Sequence, residues 1–273
     1  MLNNPAIVKG TIRSLATLAY QGGKRAKFGQ SQLIAALKIV QNGDISVRGM
    51  TGSWAGAMGH TQFIPTTYAA YAVDFDGDGK RDIWNNIGDA LASTANYLKK
   101  SGWQSGATWG YEVVAPRGFN YKLASSERTL AAWQKLGLKR PDGKPFPRPS
   151  ESARLFAPAG AGGPAFLLIK NFKVIKRYNN ADAYALAVGH LSDRLRGGGA
   201  FTVDWPDADL RLSDSQLVEV QKQLAARGLY DGEFDGNIGS GSRAAIMSYQ
   251  EAVGIEANGQ VSQKLLDMLQ SGK

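Results

Sequence analysis

The run Asp74–Asp82 reads DFDGDGKRD, with the residue types and spacing of a site for a hard cation. Asp74, Asp76 and Asp78 stand at positions 1, 3 and 5 of an EF-hand-type loop, and Gly79 takes the turn at position 6. Lys80 would offer its carbonyl at position 7, and Asp82 falls at position 9. Position 12 is Asn85, which cannot give the usual bidentate carboxylate, so Asp89 is the candidate to close a longer loop. Carboxylates this close repel one another until a cation neutralises them. The pattern predicts Ca2+ as a brace for the fold rather than a catalyst; the alternative is a solvated acidic turn.

Just ahead of this loop the character reverses. From Met50 to Val73 there is no Asp, Glu, Lys or Arg, yet GSWAGAMGHTQFIPTTY (Gly52–Tyr68) carries Ser53, His60, Gln62 and paired threonines. Ser53 and Gln62 suit hydrogen bonding to a neutral polar ligand such as an amidosugar, whereas Trp54, Phe63 and Tyr68 serve equally well as core. His60 stands alone, and a lone histidine is more often structural than a base. There is no Gly-x-Ser-x-Gly elbow and no paired-histidine metal motif. Farther on, Tyr97 in ANYL and Tyr178 and Tyr184 in RYNNADAY combine ring faces with polar tips, as sugar binding requires. Buried tyrosines with satisfied hydroxyls are the alternative. Cysteine is absent, which removes disulfides, thiolate catalysis and Cys-ligated zinc.

The elements that must position these residues are mainly helical. Ile12, Leu15, Leu18 and Ala19 share a face of TIRSLATLAYQ; Leu33, Ile34, Leu37 and Val40 share one in SQLIAALKIVQNGD, which Gly43 and the polar turn at Asp44 end. Pro65 can open a helix in IPTTYAAYAV. GDALASTANYLKKSGW is the clearest helix, with Asp89 as its cap, Leu91, Ala95 and Leu98 in phase, and Lys99 and Lys100 at the C-terminal dipole. WGYEVVAP reads as a short strand and ERTLAAWQKLGL as a short helix, while RPDGKPFPRPSESARLFAPAGAGGP reads as an irregular surface excursion. Order resumes at AFLLIKNFKVIKRYN, and ADAYALAVGHLSDRLRGG is a helix closed by glycines. After the linker-like GGGAFTVDWPDAD, a module of three amphipathic helices begins near Leu212.

Charge follows the same division. Residues 1–205 hold 26 Lys and Arg against 13 Asp and Glu, and residues 206–273 hold 6 against 10. A basic body and an acidic module mark separate units, the body suited to a polyanion such as a wall polymer. Scattered basic residues and an acidic tail argue against nucleic acid. No run reaches a transmembrane span, and MLNNPAIVKG lacks the parts of a signal peptide.

At this point the residues carry a resemblance. GSWAGAMGHTQFIPTTYAAYAVDFDGDGKRDIW followed by DALASTANYLKKSGW resembles the core of the membrane-bound lytic murein transglycosylase B family, and FKVIKRYNNADAYALAVGHLSD resembles its later segment. QLAARGLYDGEFDGNIGSGSRAAIMSYQEAVGIEANGQVS is similar to the type 1 peptidoglycan-binding domain. The resemblance implies a mainly α, lysozyme-like transglycosylase domain with a small irregular/β insertion over residues 1–200. A linker at 201–211 and a three-helix peptidoglycan-binding domain at 212–273 would follow. It implies a lytic transglycosylase that cleaves the β-1,4 bond between N-acetylmuramic acid and N-acetylglucosamine without water, leaving a 1,6-anhydro ring. One glutamate protonates the leaving oxygen and then, as carboxylate, takes the proton of the muramoyl O6 hydroxyl, unlike the two-carboxylate glycosidases.

By motif position, the resemblance makes Ser53 and Gln62 residues lining the site near the scissile bond, and Tyr97, Tyr178, Asn179 and Tyr184 ligands of the glycan. It makes Asp74, Asp76, Asp78, the Lys80 carbonyl and Asp89 a calcium set, and assigns the Asp231–Gly239 region to murein docking. Peptidoglycan strands are the expected partner of a monomer, with association to the membrane or to wall-synthesis complexes open to it. The periplasm or cell envelope is the expected location of the intact parent. The family's glutamate, in a Glu-Thr-x-x-Gly setting, precedes the segment that reads SLATLAY (Ser14–Tyr20) here. The first glutamate of this chain is Glu112, and the only acids before it are Asp44, Asp74, Asp76, Asp78, Asp82 and Asp89. The expectation is a chain without its start, export signal included, that is catalytically dead or nearly so. A non-catalytic peptidoglycan-binding protein or scaffold is the alternative.

Overall fold

A computed structural model describes residues 9–205, 212–255 and 257–272. The chain forms two compact units, Met1–Trp103 and Gln104–Lys273. The first contains β1 (Lys9–Gly10), α1 (Thr11–Tyr20), α2 (Ala26–Gln41), β2 (Thr51–Gly52), α3 (Pro65–Tyr71) and α4 (Ile87–Lys100). Strands β1 and β2 pair antiparallel, with Lys9 opposite Gly52.

Helices α1 and α2 meet through Gly29, where a Cβ would lie 2.7 Å from the Ala19 backbone nitrogen. This close approach decides which face of α2 is buried. Gly29, Gln32, Ala36 and Ile39 point inward, whereas Ile34 and Leu37, expected in the core, are exposed. Apolar periodicity does not register a face built on glycine and glutamine. The buried Gln32 earns its place by accepting the backbone N–H (3.0 Å) and hydroxyl (3.1 Å) of Thr66, which fixes the start of α3. In α4 the buried residues are Asp89, Ala90 and Ser93, and the expected Leu91 faces solvent. The cap of α4 is Asn86, whose side chain accepts the Asp89 amide at 3.2 Å; Asp89 itself lies in the first turn.

Asp44 is not in an exposed turn, as its sequence setting suggests, but buried against Arg81. One carboxylate oxygen accepts the Arg81 amide (3.1 Å) and Nε (3.2 Å), and the other accepts Nη2 at 2.7 Å. The Tyr68 hydroxyl donates to the Arg81 carbonyl at 2.7 Å, and its ring lies 5.0 Å from the guanidinium carbon. Burial, and then the neighbouring Asp44 carboxylate, push the Tyr68 phenol above its ordinary range.

The second unit contains β3 (Gly110–Val113), β4 (Glu127–Thr129), α5 (Leu130–Lys135), β5 (Ser152–Phe156), β6 (Ala165–Leu168), α6 (Lys170–Tyr178), α7 (Asp182–Leu195), α8 (Asp214–Ala225), α9 (Ser240–Ala252) and α10 (Gln263–Gln270). Its antiparallel sheet runs β3-β6-β5-β4. SARLF, expected inside an irregular excursion, is the inner strand β5, with Ala153 and Leu155 alternating into a core around Trp133 and Leu167. The Pro- and Gly-rich flanks mask this short alternation. The Trp109 indole donates to Asp193 of α7 at 2.7 Å, and Gly189 makes room for its ring. After α7, Phe201 stacks on His190 and meets Phe166 edge-on, and the Glu112 carboxylate accepts the Thr202 and Val203 amides at 2.9 and 3.0 Å. Residues 206–211 of the expected linker lie outside the described residues. Helices α8, α9 and α10 share a core of Val220, Leu224, Ile246, Tyr249, Leu266 and Leu269, and Ser213 and Gln216 form a capping box at α8.

Removing one partner of a buried pair strands the other. Asp44→Ala leaves Arg81 without its carboxylate; because Arg81 is partly solvated, the expected loss is roughly 2–3 kcal/mol, read from urea unfolding. A loss below about 0.5 kcal/mol would show that the pair is not structural.

Candidate functional site

The acidic loop is organised by its own backbone before any cation is considered. Asp74 accepts the Gly77 amide (2.7 Å) on one oxygen and the Gly79 amide (2.9 Å) on the other. Gly77 and Gly79 have φ of 77° and 87°, a backbone that favours glycine. Asp89, fully buried, reaches back from α4 to accept the Phe75 amide at 2.8 Å and the Asp82 amide at 2.7 Å. One carboxylate thus gathers both ends of the loop.

Asp74, Asp76 and Asp89 each offer an oxygen within 4.8 Å of the other two. Two oxygens on a single Ca2+-sized ion can be at most about 5 Å apart, given bonds of roughly 2.3–2.6 Å. These three residues therefore fit a hard divalent cation. Asp78, expected in the same set, turns its carboxylate to the Lys80 amide at 2.8 Å and is not in the group. The Asn86 side-chain amide donates to Asp76 at 2.7 Å.

Residues 81–84, on the far side of the loop, hold the uncharged stretch. His60 donates its amide to the Ile83 carbonyl (2.9 Å), and the Trp84 indole donates to the Thr51 carbonyl (3.0 Å). Tyr68 is bonded to Arg81 as described above. Within the stretch, Met58 bridges both Gly52 and Phe63, and the Ser53 hydroxyl accepts the Ala57 amide at 3.1 Å. Gln62 has φ of 54°, the only positive φ outside glycine among the described residues, and its side-chain amide donates to the Gly59 carbonyl at 2.8 Å. Sequence reading had no signal for this left-handed backbone, which holds the chain in a reversal. Tyr97 packs its ring on Phe63 (5.8 Å) and edge-on to Tyr71 (4.9 Å). Tyr97 thus meets the buried Phe63 next to Gln62, while Ser53 is bonded within its own turn to Ala57. His60 is exposed.

Tyr178, Asn179 and Tyr184 belong to the second unit. Tyr178 ends α6, Asn179 is its C-cap, and Tyr184 lies in the first turn of α7. The corner between the two helices is clamped by an ion pair of Lys176 with Asp182 at 2.7 Å. Burial raises the pKa of the Tyr184 phenol, keeping it a neutral donor.

Residues 7–193 match the model of the transglycosylase SLT domain family, and residues 213–269 match that of the putative peptidoglycan binding domain. This chain belongs to the SLT transglycosylase family. The membrane-bound lytic murein transglycosylase B of Escherichia coli (strain K12) is 34% identical to it over 187 residues, which are 67% of this chain and 50% of that protein. The chain thus spans about half the length of the curated relative it matches. SltB3 from Pseudomonas aeruginosa, solved in complex with NAG-anhNAM-pentapeptide, is 55% identical, with 96% of this chain and 71% of that one covered at a TM-score of 0.85. The Escherichia coli lytic transglycosylase Slt35, solved in complex with calcium, is 28% identical, with 70% and 61% covered at a TM-score of 0.57. The mainly helical, lysozyme-like fold expected of this family is the one observed, and its β insertion is the four-stranded sheet.

The Gln62 backbone makes an ordered prediction. Gln62→Ala loses the bond to Gly59 but keeps the left-handed strain, and should destabilise by about 1 kcal/mol. Gln62→Gly should cost less, because glycine removes roughly 1 kcal/mol of that strain. Urea unfolding of the two variants checks the order, and the reverse order would contradict the strain.

Proposed function

We propose that this chain is the glycan-handling part of a lytic transglycosylase of the bacterial envelope, acting on the bond between N-acetylmuramic acid and N-acetylglucosamine in peptidoglycan. The observation that carries the reading is that one chain combines a transglycosylase match at residues 7–193 with a peptidoglycan-binding match at residues 213–269. The sugar-peptide ligand of SltB3 supports a muropeptide as the substrate class. On this reading Ser53, Gln62 and Tyr97 of the first unit, and Tyr178, Asn179 and Tyr184 of the second, contact neutral sugar hydroxyls and acetamido groups. An uncharged floor suits such a ligand, since each polar group need only exchange hydrogen bonds with water for hydrogen bonds with sugar. The module at 212–273, joined by residues 201–211, would raise the local concentration of substrate.

The reaction needs a carboxyl that can donate a proton to the leaving oxygen, and later accept one from O6. The acids of the first unit are all engaged as acceptors. Asp44 serves Arg81; Asp74, Asp76, Asp78 and Asp89 serve the loop; Asp82 accepts the Trp84 and Asn85 amides. Glu112, the first glutamate, holds Thr202 and Val203. None of these seven carboxylates stands free to act as that proton donor, and on this reading the chain by itself binds murein without turnover. A non-catalytic wall-binding role is the second reading, favoured by the separate match at residues 213–269.

The cation is proposed to be Ca2+, held by Asp74, Asp76 and Asp89 with the Lys80 carbonyl as a further ligand; Asp78 would have to turn from the Lys80 amide to join them. The calcium complex of the Slt35 relative supports the choice. When bound, it neutralises the clustered carboxylates; no step of the reaction passes through it.

Two outcomes are expected. Ca2+ at about 100 times its Kd should add roughly 2.7 kcal/mol, raising the melting temperature by several degrees. Asp76→Asn should remove that response, and an unchanged melting temperature in the parent chain would contradict the site. Incubated with purified sacculi, the chain should sediment with them and release no 1,6-anhydro-muropeptides, because loss of a general acid typically costs ~10²–10⁴-fold in rate. Robust release of anhydro products would place a working acid inside these residues.

A further inference from the structure

The C-terminal module contains the same side-chain device twice. On α8, the buried Gln221 accepts the Gly236 amide (2.9 Å) and donates to Asp235 (3.1 Å), which accepts the Asn237 amide (2.9 Å). On α9, the buried Gln250 accepts the Gly259 amide (2.9 Å) and donates to Asn258 (2.9 Å), which accepts the Gln260 amide (2.9 Å). A helix glutamine thus pins an Asx-Gly turn in each case, donor for donor and acceptor for acceptor. The two loops are built alike and differ in their surroundings.

The second loop is covered by the chain itself. Gly160, in the connection between β5 and β6, has φ of 68°, and a Cβ there would lie 3.2 Å from the Asn258 carbonyl and 3.2 Å from the Gln260 Cα. Arg243 of α9 donates to the Gly259 carbonyl (3.3 Å) and to the Pro158 carbonyl, joining the second loop to that connection. Met247 of α9 packs on the apolar core of the sheet, and Lys122 pairs with Glu251. Among the described residues the guanidinium of Arg243 has no carboxylate partner, and burial depresses its pKa. A cation accepts such a setting only where carbonyl dipoles are fixed to receive it. Among the described residues the first loop has no such cover: Phe234 is 47% exposed beside Tyr230, with ring centroids 6.4 Å apart.

We propose that the two copies divide the work: the second loop docks the module rigidly on the chain's own sheet, and the first is left as its murein-binding face, with Phe234 stacking on the ligand. The second half of this proposal rests on the peptidoglycan reading above, and the first half does not. A docked module would present its wall-binding face at a fixed orientation to the sheet, unlike a module swinging on a tether.

The chain has no cysteine, so spin labels can be placed by Lys135→Cys on α5 and Lys264→Cys on α10, both exposed positions. Electron–electron distance measurements should give one narrow distribution in this background. Arg243→Ala and, independently, Gly160→Leu should broaden it, while co-sedimentation with sacculi stays within about twofold. Phe234→Ala should leave the distance unchanged and weaken sedimentation by roughly tenfold, the size of one lost stacking contact. Circular dichroism melts of each variant report whether the module stays folded. A broad distribution before any dock substitution, or one that neither dock variant changes, would overturn the docking. Sacculus binding lost in the dock variants but kept in Phe234→Ala would show that the second loop is the ligand face. Failure of the parent chain to sediment would overturn the murein reading, and the distance data would still decide the docking.

Discussion

The Asp89 carboxylate is fully buried and accepts one amide from each end of the acidic loop, Phe75 at 2.8 Å and Asp82 at 2.7 Å. A buried carboxylate left without partners would cost several kcal/mol, so the loop must close around it. Closure places residues 81–84 where three of them can reach the uncharged stretch: Arg81 to Tyr68, Ile83 to His60, and Trp84 to Thr51. The segment from Thr51 to Tyr68 contains the two-residue strand β2 and the start of α3 at Pro65. Its own turns pair Ser53 with Ala57 and Met58 with Phe63, and the loop behind it supplies further anchors at Thr51, His60 and Tyr68.

This dependence explains why two stretches of opposite character are adjacent in sequence. The uncharged stretch can stay free of charged side chains because part of what holds it comes from the charged loop beside it. The charged loop carries the three carboxylates that fit a cation and the anchoring arginine. Neutralising Asp74, Asp76 and Asp89 by a cation would tighten the loop that braces the uncharged stretch.

Much of this was legible in the sequence. The alternate aspartates and the glycines of Asp74–Gly79 announce their turn, and Asp89 could be picked as the closing carboxylate because Asn85 is the wrong residue for the task. The helices of the C-terminal module follow from their periodicity and caps. What escaped depends on contacts distant in the chain. Asp44 and Arg81 are 37 residues apart and neither setting betrays the pair. The inward face of α2 is set by Gly29 lying against α1, so its leucine and isoleucine point out. Strand β5 hides between prolines and glycines that belong to the loops on either side. Gln62 adopts a left-handed backbone that no local pattern demands, since the pairing of Met58 with Phe63 imposes it.

The central claim is that loop closure at Asp89 holds the uncharged stretch in shape. Amide hydrogen exchange at His60, whose N–H is bonded to Ile83, reads this directly in the parent chain and in Asp89→Asn, which turns one acceptor of the closing pair into a donor. Protection at His60 should fall by about tenfold or more in the variant, while amides inside α2 keep theirs. Equal protection at His60 in both proteins, alongside lost protection at Phe75 and Asp82, would show that the loop opens without disturbing the floor and would contradict the account.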